Sequence, residues 1–175
     1  LIGHLPVRNR GTVGGSFAHA DPAAEYPAVA LAQDLQMKAQ GPNGTRLIAA
    51  QDFFVTFMTT SLEASEVLTE VRLPAMKAGT GWSIQEFTRR AGDLALTGAV
   101  ATLRGVSATA MRFPAAEALL NGKAPTAENF ARAASLASES VEEPIGDIHA
   151  TPEYRRHLVK VFVGRCLAEA AGRAT

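Results

Sequence analysis

Cysteine is all but missing from this chain: Cys166 stands alone among 175 residues. One thiol closes no internal disulfide, and by itself it cannot furnish an iron–sulfur cluster or a zinc–cysteine site. Charge of one sign is not in excess either. The 17 Lys and Arg balance 17 Asp and Glu, which argues against a nucleic-acid binder working by bulk electrostatics. No apolar run approaches the roughly 18 residues that a membrane span requires. The opening Leu1-Ile2-Gly3-His4 lacks the basic and apolar regions of a secretory signal, so the expected compartment is the cytoplasm. No Gly-x-Ser-x-Gly elbow is present, which removes a common hydrolase signal. What is there is globular: 47% hydrophobic and 19% charged residues exclude a disordered tail. A chain of this length buries roughly 70% of its unfolded surface, so it folds without a disulfide or metal.

The first part reads as mixed structure. Gly11-Thr12-Val13-Gly14-Gly15-Ser16 reads as a turn-rich loop. Asp21 followed by Pro22 reads as an N-cap and first position of a helix running through Ala28, Val29 and Leu31. Leu35 to Ala39 alternates like a strand, Gly41-Pro42-Asn43-Gly44 is a turn, and Arg46 to Ile48 resumes the extended chain as a hairpin. Asp52 heads a short turn carrying Phe53, Phe54 and Phe57, and residues 66–73 alternate as a strand that stops at Pro74. A linker is expected over Met76 to Gly81, giving domains over 1–75 and 76–175. Beyond it, strands are expected over 82–90, 94–103 and 107–113. Two helices follow, one capped by Thr126 and one capped by Thr151 with Pro152 at its first position and Gly172 at its end. The fold class is α+β, its second half a small antiparallel sheet covered by helices.

Chemistry concentrates in three places. Gly11, Gly14 and Gly15 lack a Cβ, so a ligand can approach the backbone, positive φ is open, and consecutive N–H groups form an anion cradle flanked by the hydroxyls of Thr12 and Ser16. A phosphate or pyrophosphate suits it, although the same residues also read as a plain turn. The pattern is neither G-x-G-x-x-G nor a P-loop. His19, Asp21 and Glu25 suit acceptor roles toward ligand hydroxyls better than a metal site, since Asp21 and Glu25 also fit a helix start. Arg89-Arg90-Ala91-Gly92-Asp93 reads equally as an anion contact or a solvated strand end. Cys166, on an apolar helical stripe, reads as a buried inert thiol.

These residues together carry a resemblance. Ile2-Gly3-His4, Val7 to Ser16 with its Thr12-Val13-Gly14-Gly15 core, and Ala18-His19-Ala20-Asp21-Pro22-Ala23-Ala24-Glu25 are similar to the medium, FAD-binding subunit of the molybdenum hydroxylases. This is the carbon monoxide dehydrogenase and xanthine dehydrogenase family. The likeness continues through Leu68 to Pro74, Arg89 to Ala95, Ala115-Ala116-Glu117 and Glu153 to Leu158. The resemblance implies that residues 1–75 are the second half of a PCMH-type FAD-binding domain, whose N-terminal subdomain is not within this sequence. It also implies a C-terminal domain of three antiparallel strands with helices. The cofactor-binding positions it implies are Ile2, Thr12, Val13, Gly14, Gly15, Ser16, His19, Asp21, Glu25, Leu68, Gln85, Asp93 and Leu94. Thr12 to Ser16 take the pyrophosphate, Ile2 and Leu68 pack on the cofactor, Leu94 lies near the isoalloxazine ring, and Gln85 replaces a contact that is basic in some relatives. The segment Leu103 to Ser107 is shorter than in relatives by about a hairpin.

The implied function is electron transfer. Substrate is oxidised at a molybdopterin centre in a large subunit, and electrons pass through two 2Fe–2S clusters of a small subunit to FAD here. From there they go to NAD, oxygen or a quinone-linked acceptor. A dimer of heterotrimers is implied. The flavin carries the redox chemistry, so no catalytic acid, base or nucleophile and no metal ligand is expected in this chain. Two other readings stay open: an assembly module that docks the partner subunits without flavin, and a sensor of nucleotide phosphates.

Overall fold

Alternating side chains and one tight turn build the first sheet. In this computed structural model, the structure describes residues 3–90, 93, 95–102, 105–108, 111–142 and 150–174. Three short helices come first: α1 (Leu5–Arg10), α2 (Val13–His19) and α3 (Glu25–Ala32). β1 (Gln36–Gly41) and β2 (Gly44–Ala49) then form the expected hairpin, closed by the Gly41–Gly44 pair. Gly44 takes φ +109, a conformation that glycine alone adopts readily. A short helix α4 (Ala50–Phe53) leads into the small hairpin β3 (Phe54–Thr56) and β4 (Thr59–Thr60). β5 (Val67–Arg72) returns to the far edge of β1, so the sheet order is β2-β1-β5, all antiparallel. Met37, Ala39 and Ile48 from the sheet meet Phe17 of α2, Leu31 of α3 and Phe53 of α4 in one core.

An exposed coil over residues 73–79 leads to the second sheet, β6 (Trp82–Phe87), β7 (Thr97–Thr102), β8 (Gly105–Ala108) and β9 (Met111–Arg112), an antiparallel meander in that order. The sequence pattern anticipates three strands. The stretch over 107–113 is instead split between the end of β8 and a two-residue β9. Three helices follow: α5 (Pro114–Leu120), α6 (Ala127–Glu139) and α7 (Pro152–Arg173). α5 is not anticipated, although Pro114 at its first position is a start signal. Thr126 and Thr151 cap α6 and α7 as expected, accepting from the N–H of Asn129 and Tyr154. α7 runs on past Gly172 to Arg173. Ala133 and Ala137 of α6 let it approach Phe162 and Val163 of α7, and both helices pack with Ala99 and Ala101 of the sheet.

The two halves meet through α3. Ala28 and Ala32 on α3 pack against Val100 of β7, flanked by Val29 and Ile84. The second sheet is thus covered by α7 on one face and by α3 on the other.

Candidate functional site

The glycine-rich stretch is a helix start rather than a loop. Thr12 is extended (φ −120, ψ 152) and its Oγ1 accepts from the N–H of Gly15 at 3.0 Å, capping α2. Gly14 and Gly15 therefore lie inside the first turn, and neither takes positive φ. Their use is space. A Cβ on Gly15 would stand 2.8 Å from the Thr12 Oγ1, whereas a Cβ on Gly14 would meet nothing within 4 Å. The Ser16 N–H reaches the Thr12 carbonyl at 3.0 Å. The N–H groups of Val13 and Gly14, at the first two helical positions, precede these bonds and are open to a ligand. The first turn of α2 thus leaves two N–H donors without a helical partner and space over Gly14, features that suit an anionic group.

His19 closes the last turn of α2 and is exposed. Asp21 does not cap α3. Its Oδ1 accepts from the N–H of Ala23 at 2.9 Å in a turn, and the helix begins at Glu25 with Ala24 as N-cap. Pro27 explains the later start. In a helix begun at Pro22, Pro27 would lack an interior N–H and would clash with the Ala23 carbonyl. Begun at Glu25, the helix holds Pro27 in its first turn, where no intrahelical N–H is required. Glu25 thus occupies the first position of α3.

The two ends of α3 fix its course over the second sheet. Just past its C-terminal end, Asp34 is salt-bridged to Arg112 of β9 at 2.6 Å. At its N-terminal end, Glu25 acts on Glu86 of β6. Partial burial, and then the neighbouring Glu25 carboxylate, push the Glu86 carboxyl above its ordinary range. Of the first half's candidate site residues, Glu25 is thus the one within electrostatic reach of β6. Sequence reasoning missed Glu86. The available signal was strand alternation, which sends Ser83 and Gln85 toward α7 and so Ile84 and Glu86 toward α3.

Leu68 lies on β5, half-buried and packed against the first core beside α2. Gln85 is half-buried on β6, and its Nε2 donates to Glu169 of α7 at 2.6 Å. Asp93 is exposed in the β6–β7 connection, where its N–H donates to the Arg90 carbonyl at 3.1 Å. Ile2 and Leu94 lie outside the described residues, as do Leu103 and Arg104 in the segment expected to be short. Cys166 is buried, donates to the Ala99 carbonyl at 3.2 Å, and is pushed up to about 11 chiefly by burial. That is an inert thiol. Among the described residues no group of three or more His, Cys, Asp and Glu is placed to hold a metal. No described helix is long and apolar enough to cross a membrane.

Comparison with known proteins gives this geometry a family. Residues 1–76 match the FAD binding domain in molybdopterin dehydrogenase, and residues 82–170 match the CO dehydrogenase flavoprotein C-terminal domain. The chain is 39% identical to the nicotine 6-hydroxylase medium subunit of Paenarthrobacter nicotinovorans, over 98% of this chain and 65% of that protein. It is 35% identical to the carbon monoxide dehydrogenase medium chain of Hydrogenophaga pseudoflava, over 99% and 65%. A solved carbon monoxide dehydrogenase from H. pseudoflava, lacking the Mo-pyranopterin moiety of its molybdenum cofactor, superposes with a TM-score of 0.93 at 37% identity. That match covers 100% of this chain and 66% of the other. The chain thus spans a little under two-thirds of the length of the curated relatives it matches. The matched stretches run over 186 to 188 residues against 175 here, so those relatives carry additional residues inside the shared span. With both halves matched in order and one fold shared throughout, the chain belongs to the FAD-binding medium-subunit family of the molybdenum hydroxylases, of the carbon monoxide dehydrogenase type.

Proposed function

We propose that this chain is the cofactor-holding part of an electron-transfer flavoprotein subunit. Its FAD receives electrons from the two 2Fe–2S clusters of a small subunit, served by a molybdopterin large subunit, and delivers them to NAD, oxygen or a quinone-linked acceptor. In this reading the assembly is a dimer of heterotrimers in the cytoplasm, and residues 1–75 and 76–175 are its two domains here. The observation that carries the reading is the Thr12-capped start of α2, with two unspent N–H donors and open space over Gly14.

When bound, FAD supplies the redox centre, and the protein supplies binding and surroundings. Val13 and Gly14 donate to the pyrophosphate, with Thr12, Gly15 and Ser16 holding the turn that presents them. His19, Asp21 and Glu25 would serve as acceptors toward the cofactor's hydroxyl groups. Ile2 and Leu68 would pack on the cofactor, Leu94 would serve near the isoalloxazine ring, and Gln85 and Asp93 would be the further contacts from the second half. The iron–sulfur clusters belong to the small subunit, which accords with a single, buried cysteine here.

The visible spectrum of the natively purified full-length protein, with the released cofactor identified by mass, tests this. About one FAD per chain is expected. A folded, colourless protein that stays empty when FAD is added refutes it and favours an assembly module.

A further inference from the structure

One surface feature has no part in holding a cofactor. Between Asp52 and Glu63 the chain runs from Phe53 to Leu62 with no charged residue, no proline and no glycine. The middle of this run is the β3–β4 hairpin. Its base is anchored. Phe53 is buried with Phe54 edge-on against it, the Ser61 N–H donates to the Phe53 carbonyl at 2.9 Å, and Arg46 donates to the Ser61 carbonyl at 2.7 Å. Its tip is bare: Val55 and Phe57 are each 62% exposed, and Met58 is 44% exposed.

The backbone of the tip is irregular at the same residues. Phe54 pairs with Thr60 and Thr56 with Thr59, so β3 takes two steps where β4 takes one, and Val55 is the bulged residue. Phe57 and Met58 form the two-residue turn, and Met58 takes φ +47. Glycine or asparagine fills that turn position with less strain, so methionine there trades backbone ease for a flexible apolar side chain at the tip. The hairpin is a sheet of its own, and both of its strands are edges. Exposed apolar edges without a blunting charge or proline are pairing surfaces until another chain covers them.

Charge decides what can cover this tip. A charged surface would lose its hydration against it and gain no counter-charge, so the complementary face is an uncharged, apolar recess. Position decides which chain supplies that recess, because β4 lies against α2, whose start carries the candidate anion site. We propose that the Phe57–Met58 tip docks the iron–sulfur small subunit, with both side chains entering an uncharged recess on that chain. This rests on the reading that the chain receives electrons from that subunit, the partner that must sit beside the cofactor site.

The test is binding of the purified, cluster-loaded small subunit to the full-length protein, with flavin content and thermal midpoint recorded in parallel. Phe57→Ser and Met58→Gly each weaken that binding about tenfold or more, the loss expected of an apolar anchor at the centre of an interface. Neither lowers the midpoint or the flavin content, because both side chains are exposed and glycine suits the turn. Unchanged small-subunit binding in the Phe57→Ser, Met58→Gly double variant overturns the proposal. A double variant that keeps the small subunit and loses only the large one overturns it too, as does one that changes only self-association of the protein. A wild type that takes up no FAD, or binds no small subunit, overturns the functional reading together with this inference. A wild type that binds both, with the double variant binding equally, overturns this inference only.

Discussion

Gly14 and Gly15 are neighbours in one helical turn, yet each excludes a side chain for its own reason. At Gly15 the obstacle is inside the protein, since a methyl group would press on the Thr12 hydroxyl that caps the helix. Gly15→Ala should lower the thermal midpoint of the flavin-free protein by displacing a cap worth about 1 kcal/mol. At Gly14 nothing in the protein stands in the way. Gly14→Ala should leave that midpoint unchanged or raise it, since alanine is the better helix former by about 1 kcal/mol, and still reduce FAD retention. A Gly14→Ala protein with its full flavin content would show that nothing approaches the backbone there. Gly81 is a third case. A Cβ on it would sit 1.7 Å from the Ala170 carbonyl oxygen, so Gly81→Ala should cost on the order of 3 kcal/mol, read by denaturant unfolding. Composition made the glycine stretch conspicuous in the sequence. It could not show that Thr12 turns back on Gly15, because one side-chain hydrogen bond separates a loop from a capped helix.

Helix starts divide the elements that were legible from those that were not. Thr126 and Thr151 cap where the sequence places them, because each precedes a long run with an apolar face. Asp21 looks like the same signal and is not, because Pro27 lies close enough to veto a start at Pro22. α1 was missed outright, and it buries no residue, so it left no periodic pattern to find. Between strands, Arg46 on β2 reaches Glu66 ahead of β5 through two hydrogen bonds of 2.8 Å and also donates to the Ser61 carbonyl. Gly41 permits the passage, since a Cβ there would meet Glu66 Cγ at 3.0 Å. The Arg46 bond holds the Glu66 carboxyl down to about 2. The folded value lies below the unfolded one, so the stabilisation is full above about pH 4.5 and fades as pH falls toward 2. Glu66→Gln should lower the thermal midpoint at pH 7 and make no difference near pH 2.

In the whole molecule α3 has two allegiances. Its Leu31 face completes the core of the first sheet, and its Ala28 and Ala32 face roofs the second. Small side chains make that seam close, while Asp34–Arg112 and Glu25–Glu86 stand at its ends with opposite character. The carboxyl pair carries a pH signature opposite to that of Glu66. The folded Glu86 value is raised, chiefly by burial and then by Glu25, so the cost of its charge is absent below the unfolded range near pH 4.5 and develops as pH rises through the folded value. Glu86→Gln should raise the thermal midpoint at pH 7.5 and have no effect at pH 4. Equal gains at both values would show that the Glu86 charge carries no cost in the folded protein. This electrostatic coupling was beyond the sequence, because it joins residues 61 positions apart that only the fold brings near each other. The shared helix also bears on how the chain can be divided. A protease cutting in the exposed stretch at 73–79 severs one covalent link, but it does not separate two finished objects. The downstream piece would leave with one wall of its sheet bare, Val100 and Ile84 facing water, so the nicked halves should travel together on a sizing column. Expressed without residues 25–34, the second half should look for another helix to take their place.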